Sequence, residues 1–269
     1  MKIRCSFLSF IVLAFFCYKL PAENYRRIIS LAQSVTNNLY LLGAQDKLIG
    51  CTKYCTIARK DNIPIVADAL TVNIEKVVSM QPDLVITSGL TPPRILNAIE
   101  KMGIRTLRFQ PPRDFEELCQ QLEKLGELCD KTETARQYIR ESRERLAQLP
   151  QPMKNKTVFM ELGNNPLYSV LPGSFMNDYI TLLGGQNIFH DLTNDMVSKE
   201  TVLLRNPDII IVVSMNGAGR QEIESWKQYT HLRAVSHNRL FLIDAEEACV
   251  PTPVTFINVL EKLIQDLKP

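Results

Sequence analysis

Histidine is scarce in this chain of 269 residues: there are three, His190, His231 and His237, all in the second half. A zinc or manganese carrier draws several imidazole and carboxylate ligands from both walls of its cleft, so a first half without histidine argues against that class. The signatures G-x-S-x-G, Walker A and H-E-x-x-H are missing, and "GAGR" at 217–220 is too short for a dinucleotide fingerprint. No catalytic residue, metal ligand or cofactor is therefore assigned. Excess charge of one sign is missing too. Lys and Arg number 31 against 29 Asp and Glu, a net charge of +2 that gives no electrostatic footprint for nucleic acid or an anionic membrane surface. Tryptophan occurs once, as Trp226, in a segment expected to form a surface helix.

Cysteine is present but does not fit a disulfide framework. Of the seven, Cys5 and Cys17 fall near the N-terminus, leaving the odd set Cys51, Cys55, Cys119, Cys129 and Cys249. Cys119 and Cys129 lie ten residues apart in a helical pattern, about 15 Å along one straight helix and too far to bridge. "CTKYC" at 51–55 is compatible with a bridge, a soft metal or two ordinary thiols, the last being the simplest reading.

At the N-terminus, "MKIR" is followed by the apolar run "CSFLSFIVLAFFCY" and then "KLPAE". That is the order of a secretory signal, expected to occupy residues 1–22 and to be cut after Ala22. The run is shorter than the roughly 20 residues of a membrane span. An uncleaved anchor is the alternative, and bulky Phe15 and Phe16 before Cys17 disfavour a lipoprotein. A periplasmic location follows as an expectation.

What remains is ordinary globular sequence, 45% apolar and 22% charged. Short apolar runs alternate with amphipathic segments: strands "RIISL", "KLIG", "IPIVA", "DLVITS" and "RTLRF", with helices "SVTNNLYLLG", "NIEKVVSM" and "PPRILNAIEKMG". Residues 114–149 are continuously helical. The alternation then resumes with strands "TVFMEL", "DIIIVVS" and "RLFLID", helices "SFMNDYITLLGG", "KETVLLR" and "RQEIESWKQY", and a last helix near 254–267. The pattern predicts an α/β fold of two Rossmann-like lobes with mostly parallel sheets, at 24–130 and 153–269, joined by a single long helix at 131–150.

Two phrases recur in the same order. "LLGAQD" at 41–46 returns as "LLGGQN" at 182–187, and "EKVVSMQPDLVI" at 75–86 returns as "ETVLLRNPDIII" at 200–211. Pro82 and Pro207 would end a helix and lead into a buried strand. Glu75 and Glu200 sit at helix starts, where the dipole favours a carboxylate. The same choice at the same offset in both lobes also suits a pair of acidic knobs meeting a two-fold partner.

Open parallel sheets bind ligands at the carboxyl ends of their strands, so the facing loops of two lobes would wall a cleft. Those loops supply Ser34, Tyr54, Ser88, Asn164, Asn165, Tyr168, Met215, Glu246 and Glu247. Ser34, Tyr54, Ser88, Asn165, Tyr168, Met215 and Glu246 are the candidate ligand-binding set, a mixture suited to a sizeable, partly polar small molecule.

"RIISLAQSVTNNLYLLGAQDKLIGCTKYC", "NIEKVVSMQPDLVI", "GSFMNDYITLLGGQNIF" and "VSKETVLLRNPDIII" together resemble the periplasmic substrate-binding proteins whose lobes are joined by a helical backbone. Those proteins serve ABC importers of cobalamin, ferric siderophores and haem. The resemblance covers essentially the whole chain after the leader. It implies a monomeric carrier that takes a bulky corrinoid or iron chelate to a permease dimer in the inner membrane. It also implies that Glu75 and Glu200 dock the two lobes on permease arginines, and that Tyr54 and Tyr168 face the ligand. Two departures from the cobalamin-binding members stand out. Their cleft tryptophans are replaced by small residues near Ala69 and Ser88, and the aromatic segment before "VSKET" is shortened to "LTNDM". A haem or metal carrier of the same architecture, and a storage or interaction protein uncoupled from transport, are the alternatives.

Overall fold

The computed structural model describes residues 24–68, 71–89, 91–214 and 217–268. The signal expected at 1–22, and with it Cys5 and Cys17, lies outside the described residues, as do Ala69 and Met215. Among the described residues no helix is long and apolar enough to cross a membrane.

The first lobe is a five-stranded sheet of β1 (Ile28–Ser30), β2 (Leu48–Thr52), β3 (Ile65–Ala67), β4 (Leu84–Thr87) and β5 (Thr106–Arg108). Its order is β3-β2-β1-β4-β5 and every pairing is parallel. Helices α1 (Gln33–Leu41), α2 (Thr56–Lys60), α3 (Ile74–Ser79) and α4 (Pro93–Lys101) make the crossovers. All four residues of β4 are buried, as expected of a central parallel strand covered on both faces. Pro93 opens α4 at its first helical position, where its missing N–H costs nothing.

Two helices follow, α5 (Phe115–Leu128) and α6 (Thr132–Ala147). In α6 only Ala135, Ile139 and Ser142 are buried, so the helix is mostly exposed, as its charge predicts.

The second lobe carries β6 (Thr157–Asn164), β7 (Leu167–Ser169), β8 (Gln186–Asn187), β9 (Ile209–Ser214) and β10 (Leu240–Asp244), with helices α7 (Asp178–Thr181), α8 (Lys199–Arg205), α9 (Gly219–Lys227), α10 (Arg233–Ser236), α11 (Ala245–Ala248) and α12 (Pro253–Asp266). β9 and β10 run parallel to β6, β8 pairs with its start, and β7 folds back antiparallel on its end.

The internal repeat is structural. Asn73 caps α3 by accepting the Lys76 N–H, and Ser198 caps α8 by accepting the Thr201 N–H. Glu75 and Glu200 are each the second residue past the cap. Gln81 and Asn206, each just before its proline, take φ of 47° and 44°. Asp83 then accepts the N–H groups of Arg26 and Arg27 at 2.7 and 3.0 Å, while Asp208 accepts the Thr157 N–H at 2.8 Å and hydroxyl at 2.9 Å. The repeated Pro-Asp thus clasps β4 to the start of β1, and β9 to the start of β6. In the other repeat, Gly43 and Gly184 take φ of +64° and +84°, which side chains with a Cβ disfavour.

Three segments differ from the sequence reading. "GNNPLY" is the turn of the β6–β7 hairpin, around a cis Asn165–Pro166 bond, because Leu167–Ser169 finds partners on β6. "DAEEA" is the short helix α11, capped by Asp244, whose carboxylate takes the Glu246 and Glu247 N–H groups. Trp226 is fully buried: α9 turns Gly219, Glu222 and Trp226 inward, and the indole packs against Phe159 at 5.7 Å.

The lobes share one hydrophobic core. A single cluster runs from Ile28 and Leu84 through Phe115 and Leu122 to Ile211, Phe256 and Leu263. Phe115 at the head of α5 enters a second-lobe aromatic group, its ring 5.3 Å from Phe256, which stacks on Tyr179 at 4.4 Å. Its backbone N–H donates to Asp178 at 2.9 Å. Arg145 of α6 holds Glu261 and Asn258 of α12 at 2.8 and 2.7 Å. A packed core joining two lobes resists the large backbone changes of a loop hinge. The expected lobe rotation between free and ligand-bound protein stays below about 20°, measurable by crystallography or by distances between spin labels on α4 and α9. A larger rotation would contradict the shared-core account.

Candidate functional site

A cavity of about 500 Å³ opens at the carboxyl ends of the first sheet's strands, where the second lobe faces it. Each wall is built by a short crossover. Leu31 to Ser34 follow β1, Thr52 ends β2 and Tyr54 follows it, and Ser88, Gly89, Thr91 and Pro92 follow β4. Pro111 and Pro112 flank them, and the second lobe adds Phe175, Cys249 and Val250.

Hydrogen bonds shape these loops. The Leu31 N–H donates to the Ile86 carbonyl at 2.8 Å, which keeps the β1–α1 loop on the sheet. Beneath it the Ser30 hydroxyl donates to the Ala32 carbonyl at 2.9 Å, and Thr36 donates to Ser30 at 2.9 Å. Arg108 donates to the Gly89 carbonyl at 2.6 Å and fixes the β4–α4 loop. The resulting wall is mostly apolar with a few hydroxyls, the usual make-up of a small-molecule site. Tyr54 stands out on it: 46% exposed, with Lys53 Nζ 5.2 Å from its ring centre.

A second cavity, of about 460 Å³, lies further along the junction between the lobes and shares Gln33 with the first. Asn37, Tyr40 and Thr56 wall it from the first lobe, Glu246, Glu247, Thr252 and Thr255 from the second. Between the cavities, Asn37 donates to the Val250 carbonyl at 3.0 Å.

The first cavity therefore gathers Ser34, Tyr54 and Ser88. Glu246 lines the second. Asn165 is exposed in the hairpin turn, and half-buried Tyr168 bridges to Met196; neither lines either cavity. Thr52, Thr91, Pro111 and Phe175 were not singled out from the sequence. Pro111 sits in the loop after β5, where the open-sheet rule places a wall residue, whereas Phe175 comes from the second lobe and only tertiary packing brings it in. Among the described residues no three His, Cys, Asp or Glu side chains converge as a metal site requires.

Glu75 and Glu200 are both exposed at the starts of their helices. The Glu200 carboxyl titrates below the ordinary carboxylate range, held there by its own backbone N–H and by the Ser198 hydroxyl.

Sequence reasoning missed Glu161, a carboxylate between the apolar Met160 and Leu162 of β6. It lies in β6, 1% exposed, and accepts the Trp226 indole N–H. Burial first, and the nearby Glu222 carboxylate second, push its pKa up to about 7, against the opposing indole hydrogen bond and Lys199. Glu161 Oε1 and Glu222 Oε2 find no hydrogen-bond partner among the described residues. A carboxyl whose folded pKa exceeds its unfolded value stabilises the fold while protonated. That contribution is complete below about pH 4.5 and lost as pH rises through about 7. Urea titrations of the wild type should therefore show roughly 3 kcal/mol less stability from this group at pH 8 than at pH 4.5. Glu161→Gln should flatten that slope, and an unchanged slope would place the dependence elsewhere.

These features define a class: a two-lobed α/β carrier with its ligand cleft between lobes that share one core. The chain belongs to the periplasmic binding protein family, whose model matches residues 28–247. Members of this family are carriers rather than enzymes. The chain is 29% identical to the Vitamin B12-binding protein of Vibrio cholerae over 273 residues, spanning 99% of this chain and 96% of the relative. Among solved structures it resembles the periplasmic vitamin B12 binding protein BtuF of Vibrio cholerae, with a TM-score of 0.75 and 26% identity over 90% of this chain and 96% of the other. It also resembles a possible iron-binding periplasmic solute-binding protein of Staphylococcus epidermidis, with a TM-score of 0.77 and 25% identity over 91% of this chain and all of the other.

Proposed function

We propose that this protein is the exported substrate-binding component of an ABC importer, that it captures a corrinoid in the interlobe cleft, and that it delivers it to a membrane permease through Glu75 and Glu200. The observation that carries this reading is Tyr54, a large ring left 46% exposed at the wall of the open, mostly apolar cavity between the lobes. A tyrosine ring on a cleft wall offers an apolar face on which a flat, partly apolar partner can stack. The full-length similarity to vitamin B12-binding relatives supports a corrinoid as that partner.

Capture needs no bond-making. The apolar wall excludes water from the macrocycle, Tyr54 stacks on it, and the Ser34, Ser88 and Thr91 hydroxyls meet polar substituents. Removing the ring is expected to weaken cyanocobalamin binding at least tenfold, about 1.5 kcal/mol or more, in Tyr54→Ala measured by calorimetry. Unchanged affinity would take Tyr54, and with it this pose, out of the account. A ferric siderophore is the second reading. It is favoured by the small Ser88 on the wall, which leaves room for a different cargo, and by the possible iron-binding neighbour.

A further inference from the structure

The segment that presents Tyr54 is bracketed by two buried thiols. Cys51 sits in β2 and Cys55 caps α2, each fully buried and unbridged. The Cys55 N–H donates to the Thr52 carbonyl at 3.1 Å, a turn that folds Cys55 back over the end of β2. The Cys51 sulfur lies 3.9 Å from the Ile63 carbonyl, and both cysteine side chains belong to the same buried cluster. Thr36 Oγ1 and Thr52 Oγ1 approach the Cys55 sulfur at 3.1 and 3.3 Å. Thr36 is also bonded to Ser30, which closes the β1–α1 loop. A buried polar chain thus runs from the floor of the cleft, through Thr36, to the sulfur behind Tyr54.

We propose that Cys51 and Cys55 are a redox-active dithiol that closes to a disulfide by exchange with a small-molecule disulfide, and that closure stiffens the Tyr54 arm of the cleft. The assignment of sites is independent of any ligand; only the importance of Tyr54 rests on the function proposed above. The surroundings fit the chemistry. The neighbouring Cys51 thiol foremost, with the Thr52 hydroxyl, holds the Cys55 thiol below its ordinary range against the effect of burial, while Cys51 is pushed up by that pairing and by burial. Burial first, with nearby carboxylates adding to it, pushes Cys119 up to about 12, and Cys129 and Cys249 to about 11, which leaves them poor nucleophiles.

The Cys55 thiolate attacks one sulfur of the oxidant, forming a mixed disulfide and expelling one thiolate, which takes a proton from water. Cys51 loses its proton to water and its sulfur then attacks the Cys55 sulfur, expelling the second thiolate. Two protein thiols are oxidised and one disulfide is reduced to two small thiols. Because both sulfurs are buried, exchange requires local opening of the five-residue helix α2.

The test uses reduced, purified protein incubated with oxidised glutathione, quenched in acid, alkylated in denaturant and digested with trypsin. Cleavage after Lys47, Lys53 and Arg59 separates "LIGCTK" from "YCTIAR", so closure appears as these two peptides joined. The expected result is that joined pair, with Cys119, Cys129 and Cys249 fully alkylated. Amide deuterium exchange over 30–36 and 52–56 should slow at least about threefold on oxidation of the wild type and remain unchanged in Cys51→Ser/Cys55→Ser. Full alkylation of Cys51 and Cys55, or a stable glutathione adduct at Cys55 without closure, would overturn the dithiol. Closure with unchanged exchange would overturn the coupling to Tyr54. Should the double variant fail to fold, oxidised and reduced wild type decide the matter between them.

Discussion

Glu75→Arg combined with Glu200→Arg is expected to cut import at least tenfold while changing the affinity of the cleft less than twofold. Both side chains are exposed, both are the second residue past a helix cap, and neither lines a cavity. Locally, each exposed carboxylate gives only a small, solvent-screened benefit at its helix start, so the double variant still folds. At an interface the consequence is larger. Setting a positive charge against a positive pocket costs several kcal/mol, and each 1.4 kcal/mol is tenfold. Import by cells and cyanocobalamin binding by the purified variant separate the two roles. Lost import with intact binding supports docking. Unaltered import would reduce the pair to helix-start residues and favour a storage protein uncoupled from transport.

Phe256→Ala is expected to cost about 3–5 kcal/mol of stability, the range for emptying a fully buried aromatic site. The ring is fully buried, stacks on Tyr179 at 4.4 Å and lies 5.3 Å from Phe115, so its loss opens a void where α5 enters the second lobe. Phe175, which walls the cleft, lies 6.5 Å from the same ring. Ligand affinity should therefore fall together with stability, although Phe256 itself does not line the cleft. Urea unfolding and calorimetry on one preparation check both. A loss below about 1 kcal/mol would mean that the lobes are held together elsewhere.

How much of this was legible in the sequence depended on the range of the interaction involved. Strands buried on both faces announce themselves as apolar runs, and βα alternation makes their parallel pairing the economical choice, so the sheets could be read directly. The repeat was legible as words, yet the role of its aspartates was not: Asp83 and Asp208 act on residues over fifty positions away. The same holds for Trp226. A lone aromatic among charges reads as surface, and only the packing of α9 on β6 shows it buried beside Glu161. At the cleft, the loops after β1, β2 and β4 followed from the rule for open sheets, which placed Ser34, Tyr54 and Ser88 on its wall. Asn165 and Tyr168 line neither cavity: they lie in the turn and the return strand of the β6–β7 hairpin, which no strand-end rule foresees.

The central claim is that the interlobe cleft takes a corrinoid. Calorimetric titration of the purified protein with cyanocobalamin, haemin and a ferric hydroxamate tests it most directly. Saturable one-to-one binding of cyanocobalamin at micromolar affinity or better is expected, with no comparable heat from haemin or the hydroxamate. Tight binding of an iron chelate with none of cyanocobalamin would contradict it.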